Sequence, residues 1–226
     1  SIGVLDVSNS FLHEYESKTS AKKFLYSKGN VANTSDIKSA VERTYKKFGE
    51  IDTVIANAGI HLSDSIFNIQ EDEFLKVLNI NLKGVIFTIK ECLPFLNKKE
   101  SKIILVGSDQ SIIGKPNNLS YGASKGAIGQ ITKSLSIELA PHNTSVNAVC
   151  PGTVDTPLTR IALQKWADRE FNGNFEEALA KEKTEFPTGQ IGSSLEVAEL
   201  IYFISEKTTL YTTGSLFTID GGYTAR

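Results

Sequence analysis

Short apolar segments that alternate with longer amphipathic ones predict a doubly wound parallel α/β sheet in this 226-residue chain. Two further observations support that fold class. No internal repeat, low-complexity tract or linker interrupts the alternation, so 1–226 reads as one domain. In addition, Asp6, Asn57, Ser108 and Pro151 each fall where an apolar segment ends. The carboxyl ends of parallel strands are where such sheets bind ligands.

The elements follow in order. Ile2 to Asp6 reads as the end of a buried parallel strand, and Lys23 to Tyr26 as a second strand leading to Gly29-Asn30-Val31. Asp36 to Phe48 carries helical period, with Ile37, Ala40, Val41 and Tyr45 on one face and Thr34 or Ser35 as cap. Asp52 to Ala56 is a short strand ending at Asn57-Ala58-Gly59. Glu71 to Leu96 reads as one long helix that stops near Pro94. Lys102 to Val106 is a strand, Tyr121 to Ala140 a helix, and Ser145 to Val149 a strand running into Pro151-Gly152. Residues 157–187 are more polar, with two helical pieces. Leu195 to Ser205 is a helix and Ser215 to Ile219 the last strand.

Composition excludes several classes. The net charge is −2 and no Lys/Arg cluster suggests a nucleic-acid partner. No apolar run is long enough to span a bilayer, and no secretory signal is seen. The two cysteines, Cys92 and Cys150, read as buried packing residues, which suits a reducing, cytoplasmic setting. The three histidines show no metal-ligand spacing, so no metal is expected.

Tyr121-Gly122-Ala123-Ser124-Lys125 places a phenol and an ammonium four residues apart on one helix face. That spacing suits a tyrosine acting as general acid/base, its pKa lowered by the cation. Around it stand Asn57-Ala58-Gly59, Asn81-Leu82-Lys83-Gly84, Ser108, Pro151-Gly152-Thr153-Val154-Asp155-Thr156 and Asp220-Gly221-Gly222. In this order and spacing the motifs resemble the short-chain dehydrogenase/reductase family, along the whole chain.

The resemblance implies a Rossmann-type fold and hydride transfer between NAD and a small secondary alcohol or ketone, such as a hydroxy acid or sugar derivative. It implies that Tyr121 moves the substrate proton and that Lys125 supports it and binds the nicotinamide ribose. Ser108, thirteen residues before Tyr121, would hold the reacting oxygen; Ser111 fits the spacing less well. Asn81 would bend its helix and bind a relay water. Asn57, Ala58 and Gly59 would form the turn near the adenosine ribose. Asn30 and Val31 would lie near adenine, Pro151 and Gly152 would curve round the nicotinamide, and Val154 and Thr156 would take its carboxamide. Asp6 would accept from the ribose hydroxyls and repel a 2′-phosphate, with no Lys or Arg in residues 1–12 to offset it, so NAD rather than NADP is expected.

His61, Asp109 and Gln110 are further residues within reach of substrate, and residues 157–187, with Trp166 and Phe171, would form a lid. One family motif is not in the chain: the glycine-rich turn that cradles pyrophosphate. The expectation is therefore a chain truncated before its second strand, short of about 25–35 residues by the family pattern. The chain also contains no Met, so Ser1 is not expected to be the biological start. A homotetramer is expected from apolar stripes at Ile86, Ile89 and Leu93 and at Ile128, Ile131 and Leu135. The alternative is a catalytically silent family member serving as a structural or regulatory partner.

Overall fold

The computed structural model describes residues 1–9 and 22–225. Strand β1 (Ile2–Asp6) pairs in parallel with β2 (Phe24–Lys28). After β3 (Thr53–Ala56), β4 (Ser101–Val106), β5 (Thr144–Pro151), β6 (Val154–Asp155) and β7 (Gly192–Ser193) comes β8 (Leu216–Ile219). A second parallel sheet has the order β3-β4-β5-β8, and β6 pairs with β7. Among the described residues β1 and β3 do not pair with each other.

The two sheets differ in burial. Ile103, Ile104 and Leu105 on β4 and Val146, Ala148 and Val149 on β5 are fully buried, because helices cover both faces. One face packs Ile103, Leu105 and Val146 against Val54, Ile89 and Ile128. The other packs Ile104 and Val149 against Ile204. β1 departs from the expected buried strand: Ile2 is half exposed and only Val4 to Asp6 are partly covered. It packs on helix α1 (Thr34–Phe48), with Gly3 directly facing Thr44.

The cap of α1 is Asn33, not Thr34 or Ser35, and it makes no side-chain cap bond. The preceding turn is tied instead by Asp36, whose carboxylate accepts the Asn30 N–H at 2.9 Å. Ile37, Ala40 and Val41 are buried as expected, whereas Tyr45 remains 43% exposed and rests on the Phe95 ring.

The expected long helix is broken. Helix α2 (Glu71–Leu78) passes through a π-helical turn (Asn79–Lys83) into α3 (Gly84–Cys92) and a 3₁₀ turn (Leu93–Phe95). Such π turns are rare and concentrate at functional sites. A Cβ on Gly84 would meet Val31 Cγ2 at 2.9 Å, so only glycine lets this turn press against the Asn30-Val31 loop. Helices α4 (Leu119–Leu139), α5 (Pro157–Glu170), α6 (Phe175–Thr184) and α7 (Ser194–Lys207) complete the chain. The polar 157–187 stretch is thus mostly helical, turning at Asn172-Gly173, where both residues have positive φ.

The expected oligomer stripes are partly used inside the subunit. Ile89 and Ile128 are core residues, Ile131 and Leu135 pack against that core, and Ile86 and Leu93 remain half exposed. Cys92 and Cys150 are free and buried. No helix among the described residues is long and apolar enough to cross a membrane.

Candidate active site

The carboxyl ends of β1, β3, β4 and β5 lead directly to Asp6, Asn57, Ser108 and Pro151. Between the last three lies a cavity of about 170 Å³. Asn57, Gly59, Ser108, Tyr121 and Lys125 form one side of it, and Pro151, Gly152, Val154 and Thr156 the other. A second cavity of about 410 Å³ opens beside Asn30 and Ala32, under Leu75, Asn79 and Ile80. Asp6, Val31 and Ala58 line neither cavity. Asp6 accepts the Ser8 N–H at 2.8 Å, and the side chain of Val31 faces Gly84.

The start of α4 is fixed by a residue that motif reading passes over. Asp64 is buried, accepts the Ser120 N–H at 3.0 Å and also takes the Ser120 hydroxyl. This carboxylate at the first turn favours the helix N-terminus and sets Tyr121 and Lys125 one turn apart, facing the cavity. Lys125 is almost fully buried and donates to the Val106 carbonyl at 2.7 Å. Its Nζ lies 5.7 Å from the centre of the Tyr121 ring.

Asn81 sits at the π turn and is also buried. Its Oδ1 accepts the Ile60 N–H at 2.8 Å, and its Nδ2 donates to the Ile60 carbonyl at 2.9 Å and to Ser124 Oγ at 3.2 Å. The wider helical turn therefore lets one amide clamp the segment after Asn57-Ala58-Gly59 onto the tyrosine helix. A Cβ on Gly59 would lie 3.5 Å from Asn81 Oδ1 and 3.8 Å from Lys125 Nζ, so this corner is small.

The two serines separate clearly. Ser111 Oγ donates to the Lys125 carbonyl at 2.7 Å and accepts the Ser108 N–H at 3.2 Å. Ser111 is a strut between loop and helix, and Ser108 is the serine on the cavity wall. Ser108 Oγ donates to Asp109 Oδ1 at 2.7 Å and accepts the Gln110 N–H at 3.2 Å.

Electrostatics correct one expectation. Burial pushes the Tyr121 phenol up to about 12; the Ser108 hydroxyl pulls it back and the Asp109 charge pushes it further up. Burial also brings the Lys125 ammonium down to about 8, against an upward pull from Cys150. Sequence spacing shows the nearest cation but not the desolvation of both groups, which outweighs it here. His61 meets the Tyr121 ring edge-on, with centres 4.9 Å apart, and its Nε2 lies 2.6 Å from Asn118 Oδ1. Burial lowers its pKa, partly offset by Asn118 and Asp64.

Lys115 is the other residue motif reading missed. Its Nζ is 2.7 Å from Asp109 Oδ2 and 4.3 Å from the centre of the Tyr223 ring. The Pro151-Gly152 turn is held from behind: a Cβ on Gly152 would meet Phe186 Cε1 at 2.9 Å and Asp220 Cα at 3.0 Å. Thr156 caps α5, its Oγ1 accepting the Thr159 N–H at 3.2 Å.

The sequence and the fold have known counterparts. The family model described as enoyl-(acyl carrier protein) reductase matches residues 2–224. The chain is 35% identical over 194 residues to the 3-oxoacyl-(acyl-carrier-protein) reductase FabG of Thermotoga maritima, covering 85% of this chain and 74% of that protein. It is 31% identical over 198 residues to glucose 1-dehydrogenase of Gluconobacter oxydans, covering 87% and 71%. The crystal structure of a short-chain dehydrogenase family protein from Francisella tularensis superposes with a TM-score of 0.88 at 38% identity, covering 98% of this chain and 87% of that one. The chain belongs to the short-chain dehydrogenase/reductase family of oxidoreductases, whose matched members include reductases of 3-oxoacyl groups and a glucose dehydrogenase.

Proposed function

We propose that this chain oxidises a small secondary alcohol, or reduces the matching ketone, with NAD(H). The observation that carries this reading is the meeting of Ser108, Tyr121 and Lys125 on one small cavity at the carboxyl edge of a parallel sheet. The cavity corner at Gly59 and the turn at Pro151-Gly152 fit a flat ring laid beside Tyr121, and the cavity by Asn30 fits a second ring further along that edge. The cofactor would supply the hydride or accept it.

The chain's own residues would supply the rest. Ser108 holds the substrate oxygen, and Tyr121 takes its proton during oxidation or gives one during reduction. Lys125, still largely an ammonium at neutral pH with a pKa of about 8, would bind the nicotinamide ribose and favour the ionised form of Tyr121. Asn81 keeps the corner in shape by clamping Ile60. Val154 and Thr156 face the same cavity and would take the carboxamide. Asp6, with no Lys or Arg in residues 1–12, favours ribose hydroxyls over a 2′-phosphate.

The substrate class is a hydroxy acid, polyol or sugar derivative, in keeping with the glucose dehydrogenase relative. Residues 157–187 would act as the lid over it, and the working form would be a cytoplasmic homotetramer. A panel of hydroxy acids and polyols, offered with NAD and separately with NADP, tests the reading through the absorbance of reduced nicotinamide. Turnover of one class with NAD that vanishes in Tyr121→Phe is expected. No turnover with either cofactor would leave the silent-member reading in its place.

A further inference from the structure

The loop after β4 buries a carboxylate next to the reacting centre and then covers it with a cation. Asp109 is 2% exposed, and its Oδ1 takes the Ser108 hydroxyl at 2.7 Å. Its Oδ2 has no hydrogen-bond partner, yet Lys115 Nζ lies 2.7 Å away. Lys115 therefore meets it as a counter-charge. Lys115 is itself held over the rings of Tyr223 at 4.3 Å and Phe186 at 5.8 Å. A buried charge is costly unless it is paired, and this one, paired with Lys115, stands beside a phenol whose ionisation it opposes.

We propose that Asp109 and Lys115 form a positioning pair for the reaction: Asp109 takes the Ser108 hydrogen bond while the pocket holds no substrate, and Lys115 cancels the Asp109 charge so that the bond can pass to the substrate oxygen and Tyr121 can ionise. The hydroxyl has one proton to donate. In the resting arrangement Asp109 has it, so Ser108 must turn from Asp109 to hold a ketone oxygen. Lys115 lowers the cost of that turn by keeping a partner on the carboxylate that is left. No bond is made or broken in the exchange.

Other charges around Tyr121 are accounted for. Lys125 is on its own helix, and His61, with Asp64 behind it, comes from the segment after β3. Lys165 of α5 acts on His61, and Cys150 of β5 acts on Lys125. None of these touches Ser108 Oγ, whose neighbours are Asp109, the Gln110 N–H and the Tyr121 phenol.

The inference rests on the proposed reaction, and its test separates the two. Lys115→Met, Asp109→Asn and the double variant are compared by the alkaline titration of the Tyr121 Cζ carbon in tyrosine-labelled protein, the signal being assigned by its loss in Tyr121→Phe. This readout needs no substrate. Removing the carboxylate charge should lower the Tyr121 midpoint by about one unit, typical of a neighbouring charge, and removing the cation, which leaves that charge uncancelled, should raise it. The double variant should return it close to the wild-type position. On a substrate from the panel, Lys115→Met should lose kcat about tenfold with KM little changed, and Asp109→Asn added to it should restore the rate, as follows from one unit of barrier for each tenfold. A Tyr121 midpoint unmoved in both single variants, or a double variant no nearer wild type than Lys115→Met, overturns the pair. A panel without turnover but with these shifts would sink the proposed reaction and leave the electrostatic pair standing.

Discussion

Strands β4 and β5 and the pair β1–β2 differ in how far their residues are buried. In the first, consecutive strand residues are fully buried on both faces, and the polar side chains above them, Asn81, Ser108 and Lys125, are buried and hydrogen-bonded. In the second, a two-stranded sheet leaves Ile2 half exposed, and Asp6, the residue proposed to choose the cofactor, makes a local turn bond at the surface. Proton transfer requires groups held to fractions of an ångström in a dry place. Choosing between a hydroxyl and a phosphate requires only a charge of the right sign. On the proposed reading, the tightly packed half would carry the chemistry and the open half a cofactor preference.

The largest test of this division is Tyr121→Phe. It removes one oxygen from a helix held by Asp64 and Asn81, so the fold should survive. Turnover should fall by about 10²–10⁴-fold, the usual contribution of a positioned acid/base. Circular dichroism with steady-state rates reads both sides, and a variant at wild-type rate would remove Tyr121 from the reaction.

Packing is the next test. Ile103→Ala empties a fully buried site in β4 and should cost about 2–5 kcal/mol, whereas Val4→Ala in half-buried β1 should cost about 1 kcal/mol. Urea unfolding midpoints compare them. Equal losses would show that the two sheets are equally stiff.

A third test uses pH. The pKa of Lys125 is about 8 folded against 10.5 for the ordinary group, so from about 8 to 10.5 the unfolded chain holds the proton that the folded chain has lost. Stability contributed by this site therefore rises with pH across that window, and the full burial penalty applies below it. Tyr121 works oppositely, since its raised value makes the site lose stability above 10. Subtracting the unfolding curve of Lys125→Met from wild type should isolate the rising limb; a flat difference would mean that Lys125 is well solvated.

Much of the tightly built half was legible beforehand because its signals are local. Tyr121 and Lys125 are one turn apart, and Pro151-Gly152 directly ends a strand. A bend was expected at Asn81; the structure has a π turn there, bonded to Ile60, which depends on a segment 21 residues away. Asp64 was invisible because its partner Ser120 lies 56 residues off and nothing in its own neighbourhood marks it. Lys115 sits in a Gly-Lys-Pro loop that reads as plain surface; only the fold brings Tyr223 over it. Tyr121 was assigned the wrong direction of pKa shift for the same reason, since burial is a property of the assembled site.

The smallest effect lies in the open half. Asp6 ends β1 beside β2, register-paired with Lys28, and has no buried partner to rearrange when it is replaced. Asp6→Ala should therefore leave stability and kcat nearly unchanged. It should remove an acceptor for the ribose hydroxyls and, with it, the repulsion of a 2′-phosphate, while Lys28 remains near as a positive group. The ratio of kcat/KM for NAD to that for NADP should fall about tenfold, equivalent to about 1.4 kcal/mol. If the chain already prefers NADP, or if the ratio holds in the variant, selectivity resides elsewhere. A large loss of stability would break the comparison itself, since it would show that β1 is as tightly bound into the fold as β4.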